Sequence, residues 1–273
     1  MRIDELFQFH FMTNALIAGT LVAVTASAIG WFMVVRKQTF AGHTLSVIAF
    51  PGAAAAVLAG APVFVGYFVA CGTGALALSA VTGRGEARSL SHESAAIGSV
   101  QAFALGLGFL FVSLYHGLLS GLDALLFGTF LGITDTQVLT LLAISAAAML
   151  VLGAIARPLL FASVDADVAQ ASGVPVAALS TGFLLLLGLA VAATSQITGA
   201  LLVFALLVTP AATAQLITPR PGLSLALSVL IGLAVTWVGL AIAYFSIYPV
   251  GFYVTSLSFG LYVLARAWRA VRG

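Results

Sequence analysis

The sequence predicts an all-α, polytopic membrane fold, and three observations lead there. The chain is 62% hydrophobic and 7% charged, against the roughly 25% charge of a soluble domain. Its mean hydropathy is +1.19. Its apolar stretches recur at the length a helix needs to cross a bilayer, about 20 residues for a hydrocarbon core of about 30 Å. Gly-rich and Ser-rich linkers are missing, so residues 1–273 read as a single transmembrane domain. The opening MRIDELFQFHF holds acids where a cleavable signal has a basic region, so no signal peptide is expected.

Candidate spans lie near 11–35, 39–60, 62–83, 94–115, 136–157, 175–194, 198–218, 223–247 and 250–268. That is nine, within a range of eight to ten. A further element at 122–133, LDALLFGTFLGI, is too short to cross and carries Asp123 and Asp135 at or near its ends; a re-entrant or interfacial helix is expected there.

Orientation follows from the basic residues. Arg36 and Lys37 fall between spans one and two, Arg84 and Arg88 between three and four, Arg157 after five and Arg220 between seven and eight. Arg266, Arg269 and Arg272 lie near the C-terminus. With nine spans all of these share one side. The other side holds His116, Asp123 and Asp135, and Arg2 is its only basic residue. The expectation is an inner-membrane protein with a periplasmic N-terminus and a cytoplasmic C-terminus. A net charge of +2 is absorbed by this topology, lipid surrounds the chain, and no nucleic-acid partner is expected.

The sharpest interruption is RPLLFASVDADVAQASGVP, from Arg157 to Pro175, with two of the five aspartates. Ser163 or Asp165 can cap a short helix, Gly173 can stop it, and Pro175 opens the next span. A compact cytoplasmic helix between two spans points to a docked partner. The chain also lacks energy-coupling chemistry. Its one lysine, Lys37, follows Arg36, so no phosphate-binding P-loop exists, and no Asp or Glu lies mid-span; Glu93 sits at a helix end.

Five segments, in order, carry a resemblance: FMTNALIAGTLVAVTASAIGWFMVVRKQTFAGHTLSVIAFPGAA, ESAAIGSVQAFALGLG, LLFGTFLGITDTQ, RPLLFASVDADVAQASGVP and ITGALLVFALLVTPAATAQLI. The chain resembles the permease subunits of the zinc/manganese/iron-chelate class of bacterial ABC importers. The resemblance implies that residues 163–174 form the coupling helix seated in a cleft of a separate ATPase. It also implies two permease copies around a central path and a periplasmic binding protein that delivers the metal. On that reading Val168, Ala169 and Ala171 bury apolar area in the ATPase, while Asp165 and Asp167 meet basic residues or cap the helix, where negative charge is favoured.

The family pattern in the second span is Gly-Asp-Ala-Leu-Ser-His-Ala, followed by Pro-Gly. This chain has Gly42-His43-Thr44-Leu45-Ser46-Val47-Ile48 and then Pro51-Gly52. An Asp and a His four residues apart share one helix face and can hold one ion. Here His43 stands at the Asp position and Val47 at the His position. Imidazole suits zinc, copper or iron better than the harder manganese, so zinc is the favoured cargo, with a manganese or iron-chelate importer of the same class as the alternative. The alternative for His43 is a polar helix residue bonded to a neighbour.

Other candidates are weaker. His10 and His116 lie on the expected entry side and can meet incoming metal or sit solvated at the interface; His92 lies on the cytoplasmic side. Thr194-Ser195-Gln196-Ile197-Thr198-Gly199 reads as a periplasmic turn, with Ser46 and Gln196 as candidates to line the path. Pro210 should bend the seventh span. Cys71, the lone cysteine, lies in an apolar run. The expected protein is no enzyme: it carries no cofactor, ATP and Mg belong to the partner ATPase, and a divalent metal passes through. An ion-coupled carrier and a non-transporting membrane scaffold are the rival readings.

Overall fold

The computed structural model describes residues 9–82, 90–115, 125, 128 and 132–272. They form α1 (His10–Val35), α2 (Thr39–Leu58), α3 (Val63–Thr82), α4 (Leu90–Leu114), α5 (Asp135–Val164), α6 (Ala166–Ala171), α7 (Val176–Ile217), α8 (Pro221–Tyr244) and α9 (Val250–Arg272). No strand occurs among the described residues. Eight helical stretches are long and apolar enough to span a membrane, and Leu202–Ile217 is a shorter apolar one.

Two ends of the bundle can be told apart. Arg36, at the C-terminal end of α1, meets Ser163 at the end of α5 and Ser180 at the start of α7. Trp31 meets Ser224 at the start of α8. At the opposite end His10 meets Asp135, joining the N-termini of α1 and α5, and Phe9 stacks near Tyr244 at the end of α8.

The centre is α7. It packs against α1, α2, α3, α5, α8 and α9. It consists of two helices that meet at Gly199 (φ 72°, ψ 163°), where the chain reverses. Ser180 bonds Arg36, and Gln215 reaches the Trp31 carbonyl near the same end of α1. A straight helix would hold residues 180 and 215 about 52 Å apart. Gly199 occupies a backbone region essentially closed to residues with a side chain.

The reversal is enclosed by protein. Thr194, Ser195, Ile197, Thr198 and Ala200 are all buried. The Thr198 hydroxyl donates to the Thr194 carbonyl at 3.0 Å. Gly128 lies directly against it: a Cβ there would stand 2.2 Å from the Ile197 carbonyl oxygen. Nearby, Tyr67 donates from its hydroxyl to the Leu125 carbonyl at 3.2 Å. So the described parts of 122–133 dock onto the bundle; Asp123 and most of that segment lie outside the described residues. The two spans expected at 175–194 and 198–218 are present, but the turn is one residue rather than a polar loop. Helix continues through Thr194–Thr198, where the Thr198 hydroxyl turns back onto it.

α5 departs further from its expected span of 136–157. It starts in a capping box, with Gln137 N–H donating to the Thr134 hydroxyl at 3.3 Å and Thr134 N–H to the Gln137 side chain at 2.9 Å. It then runs 30 residues, straight through Pro158, to Val164. That is about 45 Å, well beyond a bilayer core of about 30 Å. Pro158 forfeits one helical hydrogen bond, but Leu159 and Ala162 behind it are buried and hold the last turns in place.

Lipid offers no hydrophobic drive for helix association, so close approach matters. A Cβ on Gly30 of α1 would lie 1.9 Å from the Leu207 carbonyl oxygen of α7. Gly52 and Gly66 bring α2 and α3 together in the same way.

Gly199→Ala is expected to destabilise the protein by about 1–3 kcal/mol, read as a lowered melting temperature in detergent. Gly153→Ala, on an exposed face of α5, should not lower it. Equal melting of the two variants would contradict the strained reversal.

Candidate functional site

The segment between α5 and α7 is built as a rigid knuckle. Asp165 is extended (φ −148°, ψ 104°) and breaks α5 from α6. Its carboxylate accepts the Val168 N–H at 2.9 Å, capping α6. At the other end Gly173 is left-handed (φ 85°). Gly173 N–H donates to the Gln170 carbonyl and Val174 N–H to the Ala169 carbonyl, each at 3.0 Å. That paired closure is a Schellman motif, which glycine accommodates without a Cβ clash. Six residues of helix are thus held by both caps rather than by length.

Its faces correct two expectations. Ser163 does not open this helix: it lies in the last turn of α5, its hydroxyl donating to the Leu159 carbonyl at 2.5 Å. Ala169 is fully buried against its own chain and offers no outward surface. Asp165, Asp167, Val168, Ala171 and Gly173 are exposed. Gln170 is also exposed. It borders a cleft of roughly 620 Å³ with Gln38, Ser79 and the first turn of α7.

His43 lies a little over one turn into α2. Its ring packs on Phe204 with centroids 4.7 Å apart. Its Nδ1 is buried and has no hydrogen-bond partner. The alternative of a histidine bonded to a neighbour through that nitrogen is therefore not met. Ser46 is buried, and its hydroxyl donates to the His43 carbonyl at 2.8 Å, so it faces the helix rather than open space. Val47, on the His43 face, is half-buried. Gln196 is half-buried beside the Gly199 reversal. No hydrogen bond or ring contact joins it to His43 among the described residues.

Sequence reasoning missed the facing stripe. In the second half of α7, Phe204, Val208, Ala212 and Gln215 are half-buried, while the intervening residues are largely buried. Their spacing of three and four puts them on one face. The signal was slight: Gln215 is the polar member of that row. Among the described residues no three His, Cys, Asp or Glu side chains gather. The arrangement offers isolated ligands along an open face.

At the opposite end His10 is exposed and sits 2.8 Å from the Asp135 carboxylate. Asn14 donates to the same carboxylate at 2.6 Å and to the Ile133 carbonyl at 3.1 Å. His10 is thus tied to a protein carboxylate, and His116, its suggested companion, lies outside the described residues, as do the side chains of His92 and Glu93.

Asp165→Ala should remove about 1 kcal/mol of cap stability. Hydrogen exchange at the Val168 amide is expected to quicken roughly fivefold, with the amides of mid-α7 unchanged. No change at Val168 would mean the cap does not hold α6.

Comparison with known proteins follows from this geometry. Residues 8–269 match the ABC 3 transport family. The manganese transport system membrane protein MntC of Halalkalibacterium halodurans is 32% identical over 244 residues, covering 89% of this chain and 81% of that protein. The Haemophilus influenzae protein named "Probable iron transport system membrane protein" is 27% identical over 273 residues, covering 98% and 97%. In "PsaBC from Streptococcus pneumoniae in complex with Fab", one chain superposes with a TM-score of 0.84 at 29% identity, covering 96% of this chain and 93% of that one. The first two of these relatives are named for manganese and for iron. The chain belongs to the ABC 3 transport family and is a multi-pass membrane protein of that family.

Proposed function

We propose that this chain is the permease subunit of an ATP-driven importer of a divalent transition metal, with manganese favoured over zinc and iron as the second choice. Residues 1–273 act as one permease domain, working as a pair of copies. A separate ATPase, which holds the ATP and Mg, supplies the energy, and a periplasmic metal-binding protein supplies the cargo. The observation that carries the reading is α6: a six-residue helix, capped at both ends, presenting Asp165, Asp167, Val168 and Ala171 outward. A solvated loop needs no such construction. The basic residues favour a cytoplasmic position for that end of the bundle.

The chain performs no chemistry. Its work is to offer a path and to change shape. His43, with one free ring nitrogen beside Phe204, supports a transient contact for a passing ion rather than a resident site. In a pair of copies the half-buried stripe from Phe204 to Gln215 would line the path, with the Gln215 side-chain oxygen as a ligand suited to a hard cation such as manganese. Gln196 stands at the far end of that stripe.

The test is reconstitution of the permease with its ATPase and a metal-loaded binding protein in vesicles. Manganese uptake should require ATP and survive collapse of the proton gradient. The double variant Asp165→Lys, Asp167→Lys should lose most of the co-purifying ATPase, and His43→Ala should slow uptake while leaving assembly intact. Uptake that follows the proton gradient and ignores ATP would replace this reading with an ion-coupled carrier. Zinc outcompeting manganese would reverse the cargo assignment.

A further inference from the structure

We propose that Arg36 is a positioning residue that ties both arms of the α6 knuckle to the head of the His43 helix, so that displacement of α6 passes to α2. The proposal rests on the reading of α6 as the ATPase-docking element. Three donors of one guanidinium are used. Nη1 donates to the Ser163 hydroxyl at 3.3 Å, two residues before the Asp165 cap. Nη2 donates to the Ser180 hydroxyl at 2.7 Å, in the first turns of α7. Nε donates to the Gln38 side chain at 3.2 Å, at the residue that precedes α2. The plane of the group also lies over Phe183, a fully buried ring of α7, with its carbon 5.5 Å from the centroid.

Arg36 is itself placed without freedom. Lys37 takes a left-handed conformation (φ 58°) that a side chain rarely adopts. Lys37 N–H donates to the Val34 carbonyl and Gln38 N–H to the Met33 carbonyl, at 3.0 and 2.9 Å. This second Schellman closure ends α1 at Arg36 and starts α2 three residues later, with His43 a little over one turn beyond. One side chain therefore stands on the shortest connection between the two regions assigned to docking and to the path.

The acceptors explain how the contact joins three elements. All three are neutral, a pair of hydroxyls and an amide oxygen, and the fourth contact is a ring face. The rigid fork of one guanidinium reaches all of them at once, whereas a carboxylate would take two of its donors in a bidentate pair. Lysine, a point charge, cannot span Ser163, Ser180 and Gln38 together.

The experiment uses the complete complex in vesicles, comparing wild type, Arg36→Lys and the double variant Ser163→Ala, Ser180→Ala. Both variants are expected to co-purify with the ATPase as wild type does and to keep basal ATP hydrolysis. Metal uptake and the stimulation of hydrolysis by loaded binding protein should both fall, by about tenfold. Wild-type uptake and stimulation in both variants would overturn the proposal. So would loss of ATPase co-purification, which would make Arg36 part of docking itself. Should Arg36→Lys fold poorly, the serine pair decides alone, since it removes only two hydroxyls. Failure of the underlying reading shows separately: the Asp165, Asp167 charge reversal would then leave assembly untouched.

Discussion

Every backbone amide and carbonyl that enters lipid must find a partner inside the protein, and that constraint organises this molecule. A chain can turn back within a bundle only where protein covers the turn. Here the cover is complete around Gly199, walled by Thr194, Ser195, Thr198 and the backbone at Gly128. The turn is the axis of the fold. It sends the two halves of α7 back toward the same end of the bundle and sets Phe204 against His43. α1, largely buried, packs on α7 through Gly30, and α2 and α3 close over it.

From that axis the two working regions follow. The first half of α7 rises from the α6 knuckle, and the second half descends with its half-open face beside α2. The knuckle and the His43 region are therefore joined through α7 and, at the Arg36 end, through a single guanidinium. Small, rigid connections are what the proposed function requires: force arriving at one place has to move residues at another. A long soft loop would absorb it. Asp165, Gly173 and Lys37 each end a helix within one residue, so little motion is lost in the joints.

Much of this was legible in the sequence, and what was missed has physical causes. Apolar runs of bilayer length placed the spans to within a few residues, apart from α5. The α6 helix was legible from Asp165 and Gly173, because capping chemistry is local. The extension of α5 through Pro158 was not, since a mid-helix proline reads as a stop unless tertiary contacts such as those of Leu159 override it. Thr194–Thr198 looked like a polar turn because buried hydroxyls, such as that of Thr198 bonded to its own helix, are indistinguishable in sequence from hydroxyls facing water. Contacts such as Arg36 with Ser180, or His10 with Asp135, join residues more than a hundred positions apart and leave no periodic trace. The identity of the cargo was not legible for a related reason: one imidazole at one position is a weak statement about which metal a chain carries.

The account depends most on α6 meeting an ATPase with its outward face, and site-directed crosslinking measures that contact directly. Cys71 is buried, so single cysteines introduced on α6 can be followed without removing it. Crosslinking of the intact complex is predicted to join Val168→Cys and Ala171→Cys to the ATPase in high yield, with Ala169→Cys silent because it faces inward. Uniformly absent crosslinks, or a yield at Ala169→Cys equal to its neighbours, would contradict the assignment of this helix as the docking element.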